Sequence, residues 1–135
     1  MASPESPSYT VALADDGSFV HYRSFASARN SADMAQRLRS AVELGQAHQL
    51  HRIMFDTRDT PFKAGIAAQY EYAYHQAWRL GLTRDWRIAM VVTPGDRSYD
   101  FMETAFVNSG YTARLFNNYT QAVGWLCEQA AAAPE

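Results

Sequence analysis

Ile88-Ala89-Met90-Val91-Val92 runs directly into Thr93-Pro94-Gly95-Asp96. An apolar run this short, with no polar residue at alternate positions, predicts a strand covered on both faces, as in a parallel sheet packed between helices. The Pro-Gly pair ends it. Upstream, Ile53-Met54-Phe55 has the same character and is broken by residues 56–61. The intervening stretch 65–80 changes period: Ile66, Tyr70, Ala73, Ala77 and Leu80 form one helical stripe flanked by Tyr74 and Trp78. Tyr72, Gln76 and Arg79 fall off that stripe, so Tyr72 is expected to meet solvent. Gly81 suits a left-handed cap, with Leu82 as its apolar companion.

The rhythm continues in both directions. Downstream, Phe101, Met102, Ala105 and Phe106 predict a third helix that opens with Asp100 and Glu103 and closes at Asn108-Ser109-Gly110, placing Tyr111 against Phe106. Residues 113–116 read as the last strand. Asn118 and Gln121 have capping-box spacing before a final helix whose inward face is Ala122, Val123, Trp125 and Leu126, with Gly124 expected at a close packing point. Toward the N-terminus, Met34, Leu38, Ala41, Val42 and Gly45 predict a helix over 31–48, capped by Asn30 or Ser31. Before it, Tyr9, Val11 and Leu13 alternate, Asp15-Asp16-Gly17 turns, and 19–23 returns as an antiparallel partner.

Bulk properties bound the function. The 135 residues, 47% hydrophobic, match one domain, taken as 9–130 between a disordered segment 1–8 and a tail 131–135. A net charge of −2 offers no general attraction for nucleic acid or an anionic bilayer. Of 12 basic residues only Lys63 is lysine, a bias that genome composition explains as readily as anion recognition. One cysteine, Cys127, can form neither an internal disulfide nor a thiolate metal site, so a reducing cytoplasm is the expected compartment. No signal peptide or transmembrane segment is expected: the first eight residues lack a basic start and an apolar run, and 88–92 is far too short to span.

Laid out as ββαβαβαβα, the chain resembles a STAS/SpoIIAA-like domain, and in particular the small uncharacterised bacterial members of that group. The residues that carry the likeness are Phe55-Asp56-Thr57-Arg58-Asp59, Tyr70-Glu71-Tyr72-Ala73-Tyr74, Leu80-Gly81-Leu82 and Arg87-Ile88-Ala89. It continues through Asp100-Phe101-Met102-Glu103-Thr104, Asn108-Ser109-Gly110-Tyr111, Arg114-Leu115-Phe116 and Ala122-Val123-Gly124-Trp125-Leu126. The resemblance implies a superhelical α/β domain with a mostly parallel sheet, acting in regulation or binding through a protein partner or small molecule. It also permits an apolar ligand or peripheral membrane contact. In the antagonists of this group a serine after the third strand is phosphorylated; here the loop reads Asp56-Thr57-Arg58-Asp59-Thr60-Pro61-Phe62, and only Thr57 or Thr60 could accept phosphate.

Ligands of open parallel sheets gather at the carboxyl ends of strands, beside helix N-termini. That edge should carry Thr57, Arg58, Thr93, Asp96, Arg97 and Asn117, where two arginines could hold a phosphate or carboxylate. The plainer alternative has Asp56, Asp59 and Asp96 capping helices while Arg58 and Arg97 pair with them at the surface. His21, His48, His51 and His75 are scattered, so no metal site is expected, and no cofactor fingerprint or nucleophile elbow is present. The expectation is a non-enzymatic regulatory or binding domain, with a carrier of an anionic amphiphile, or an enzyme using Asp56 or Asp96 at the same edge, as alternatives. Tyr72 and Trp78 are the candidate interface residues for a homodimer.

Overall fold

The computed structural model describes residues 7–128; residues 1–6 of the expected disordered segment and the expected tail 131–135 lie outside them. Five strands, β1 (Tyr9–Leu13), β2 (Val20–Ser24), β3 (Arg52–Asp56), β4 (Arg87–Val91) and β5 (Thr112–Phe116), make one sheet in sequence order. Only β1 and β2 are antiparallel; the other pairs are parallel. The helices are α1 (Ser31–Ala47), α2 (Ile66–Glu71), α3 (Asp100–Asn108) and α4 (Tyr119–Leu126). The α/β alternation and the opening hairpin are as the periodicity predicts.

Because side chains alternate along a strand, the two faces build separate cores. Val20, Ile53, Ile88 and Met90 pack with Leu38 of α1, Ala73 and Ala77, and Phe106 of α3. Met54, Ala89, Val91 and Phe116 face the other way and are covered by Ala122 and Leu126 of α4. Asn30 caps α1 by accepting from the Asp33 amide at 2.9 Å, and Asn118 caps α4 by accepting from the Gln121 amide at 2.8 Å. Tyr111 meets Phe106 edge-on at 5.2 Å.

The second helix departs from its expected form. After α2 the chain widens into a π-helical segment, Tyr72–Gln76, in which the Ala77 amide bonds to the Tyr72 carbonyl, and then tightens into a 3-10 turn, Trp78–Leu80. A π-turn inserts one residue into the helical repeat and rotates the residues before it relative to those after it. Hence Ile66 and Tyr70, expected inside, are exposed, while Tyr72, expected outside, is buried. Gly81 closes the segment at φ +103°, its amide bonding to Trp78 and that of Leu82 to Ala77.

The close packing point is Gly45, not Gly124. A Cβ on Gly124 would meet nothing within 4 Å, whereas one on Gly45 would lie 2.5 Å from Cη2 of Trp86. Trp86 is itself 1% exposed and has nowhere to retreat. Gly45→Ala should therefore destabilise the fold by about 2 kcal/mol, read as a lower urea midpoint with unchanged slope.

Candidate functional site

On the α4 face, β2 and β3 place His21 and Arg23 beside Met54 and Asp56 in register. Asp56 is fully buried. Arg58, two residues on, reaches back with a fork: Nε donates to Oδ1 at 2.8 Å and Nη2 to Oδ2 at 2.7 Å. His21 Nε2 lies 2.9 Å from Oδ2, and Arg23 Nη1 donates to it at 3.3 Å. Burial alone would raise the carboxyl's pKa; the hydrogen bonds from Arg58 and His21 and the charges of Arg58 and Arg23 outweigh it and hold Asp56 far below the ordinary carboxylate range. Arg58 also lies over the Tyr119 ring at 4.9 Å.

On the opposite face, at the carboxyl ends of the same strands, a cavity of about 70 Å³ lies between the sheet and the helical layer. Phe55, Phe62, Tyr22, Tyr72 and Tyr99 give it an aromatic wall. Two loops fix its mouth. The Phe62 amide donates to Ser98 Oγ at 2.8 Å, the Tyr99 hydroxyl donates to the Thr60 carbonyl at 2.9 Å, and the Phe62 and Tyr99 rings stack at 4.8 Å. Burial pushes the Tyr72 and Tyr99 hydroxyls well above the ordinary tyrosine range, so both remain protonated.

Arg37, 4% exposed, forms the cavity's charged corner. Its Nη1 donates to the Ala26 carbonyl at 2.7 Å and the Tyr22 hydroxyl at 3.2 Å, while Nε and Nη2 grip both oxygens of Asp33 at 3.3 and 3.2 Å. Burial works against the Asp33 carboxylate too, but the Arg29 amide and Arg37 win and keep its pKa below the ordinary value. One polar atom in the wall is left over: Ser27 Oγ is buried and has no hydrogen-bond partner among the described residues.

The strand-end residues are divided among these features. Thr57 lines the cavity, its hydroxyl donating to the Val91 carbonyl at 3.0 Å. Arg58 belongs to the Asp56 cluster, and Thr93 is engaged with Asp59, whose amide donates to its hydroxyl at 2.7 Å. Asp96, Arg97 and Asn117 do come together, in an open groove with Arg114. Asp96 accepts from the Ser98 amide and hydroxyl through Oδ1, and Arg97 pairs with Asp100. Asp56 caps no helix, and its role as a buried ionic hub replaces that expectation. Thr60 donates to the Ser24 carbonyl at 3.1 Å, and both Thr57 and Thr60 are buried, so a kinase could reach neither without opening the loop.

Tyr72 is withdrawn as an interface residue, because the π-segment turns it inward. Trp78, in the 3-10 turn that follows that segment, is 46% exposed, and Ile66 and Tyr70 of α2 are exposed as well. The residues that periodicity missed are Arg37, Ser27, His21 and Arg23. Arg37 had left a signal: it sits on the buried face of α1, beside Leu38 and one turn from Met34 and Ala41. Among the described residues no His, Cys, Asp or Glu group is arranged to hold a metal, and no helix is long and apolar enough to cross a membrane. Set against known proteins, the chain matches no family model and no curated protein.

Proposed function

We propose that this chain is a non-enzymatic binding domain of the STAS/SpoIIAA-like type, acting in the cytoplasm, whose ligand is a small molecule seated between the sheet and α1–α3. One observation carries the reading: the cavity is mainly apolar, opens at the carboxyl ends of parallel strands, and is bordered by a few buried polar groups, the lining of a small-molecule site on a scale that admits only a small ligand. The π-segment that lines it with Tyr72 adds support, since such bulges recur at functional sites. Against catalysis stands the pairing of the charged groups at this edge: Asp56 with Arg58, Arg97 with Asp100.

The methionines provide a test. Met34, Met90 and Met102 line the cavity, whereas Met54 lies in the core on the other face. With methyl-labelled methionine, adding 1-hexanol should shift the resonances of the first three and leave Met54 unmoved. Ala28→Leu, which narrows the mouth, should abolish those shifts while the methyl spectrum stays folded. Equal shifts at all four methyls, or none, would remove the cavity reading.

A further inference from the structure

The cavity has an antechamber. A second, open groove shares Ser27, Ala28 and Met34 with the inner cavity and adds Arg29 and Lys63. Those three shared residues mark the junction, and the junction holds the orphan: Ser27 Oγ, buried, with no partner among the described residues. A hydroxyl shut away from water without a hydrogen bond is unfavourable. It becomes intelligible if something else supplies the acceptor.

We infer that the ligand is a small carboxylate whose apolar body fills the cavity and whose head group sits at this junction, facing Lys63 and Arg29 and accepting a hydrogen bond from Ser27 once the buried hydroxyl turns outward to meet it. The inference rests on the cavity reading and adds the chemical class. Charge sets the head group: Arg29 and Arg37 share the single Asp33 carboxylate, at 3.5 and 3.2 Å, so with Lys63 the junction carries a surplus of positive charge, suited to an anion. Arg37 is no competitor for the ligand's charge, being held by both Asp33 oxygens. Size sets the body: a water needs roughly 10–15 Å³ of such space, so a cavity of about 70 Å³ admits roughly five heavy atoms, a short chain rather than a long fatty acid.

The test compares hexanoate with 1-hexanol, which has the same chain and no charge, by calorimetric titration and heat-denaturation midpoint on the full chain. Hexanoate should bind more tightly, and added salt should erode its advantage alone. Lys63→Gln should weaken hexanoate by about threefold and leave hexanol unchanged. Ser27→Ala should weaken hexanoate too, while the ligand-free protein is as stable as before or more so, because the variant removes an unsatisfied group. Hexyl phosphate carries the alternative anionic head, and tighter binding of it than of hexanoate would overturn the carboxylate assignment. If hexanol and hexanoate bind equally and neither variant discriminates, the head-group assignment falls and the cavity reading stands. If neither binds and the methionine methyls do not move, both fall.

Discussion

Asp56→Ala is expected to cost about 3 kcal/mol of folding free energy, because removing one member of a buried charge cluster leaves the others without a partner. The value belongs at the low end for such deletions. Asp56 is wholly buried, but the side chains of Arg23, Arg58 and His21 keep between a quarter and a third or so of their surface exposed and can turn toward water. Asp56→Asn keeps the shape and loses the charge, and should cost less. Its pH dependence has a definite sign. The folded carboxyl titrates far below its ordinary value of 3.8, so its contribution is complete above that pH and is lost as pH falls toward the folded pKa. The stability gap between wild type and Asp56→Asn, measured by urea unfolding, should be constant near neutrality and narrow only in acid below about pH 4. A gap that widened in acid would contradict the assignment of Asp56 as an ionised hub.

Much of the fold was legible because it depends on patterns confined to short windows. The buried run Ile88–Val92, the caps at Asn30 and Asn118 and the contact of Tyr111 with Phe106 each need only neighbouring residues. The second helix failed because its decisive event is a single inserted residue at the π-segment, which no hydrophobic period can reveal. One residue of drift was enough to exchange the fates of Tyr70 and Tyr72. The site was legible in part for a similar reason. Asp56 and Arg58 are two apart, and their pairing was foreseeable; the arrival of His21 and Arg23 depends on the register of β2 against β3, in which Arg23 stands opposite Asp56. Ser27 is the extreme case. A serine in a loop carries no periodic signal, and its lack of a partner exists only in three dimensions.

The two faces of the sheet divide the work that the strand-end residues were expected to share. On the α4 side charge is gathered and neutralised around a carboxylate; on the α1–α3 side space is left open and lined with rings. β3 serves both, since Asp56 points to one core and Phe55 to the other. Loop 57–65 leads directly out of that hub, so the ionic cluster anchors the segment that carries Thr57, Phe62 and Lys63 to the cavity and its antechamber. Weakening Asp56 should therefore loosen the mouth without touching the cavity wall itself.

Arg37→Met is the second large effect, again about 3 kcal/mol. Methionine keeps most of the aliphatic stem but deletes every donor, including those to Asp33, Tyr22 and the Ala26 carbonyl, and the contact of the guanidinium with the Tyr9 ring at 5.0 Å. Asp33 retains the Arg29 amide and its exposed side chain, so the carboxylate is weakened rather than stranded. The double variant Arg37→Met, Asp33→Asn should lose less than the sum of the two single losses, because the charge left unpaired in the first is removed in the second. Hexanoate affinity then separates two roles for the guanidinium. With both Asp33 oxygens engaged by Arg37, its charge is already absorbed, and folded Arg37→Met protein should bind hexanoate within about threefold of wild type. A larger loss, with hexanol binding preserved, would show that the head group reaches past Ser27 into the cavity, and would move the carboxylate from the junction to Arg37.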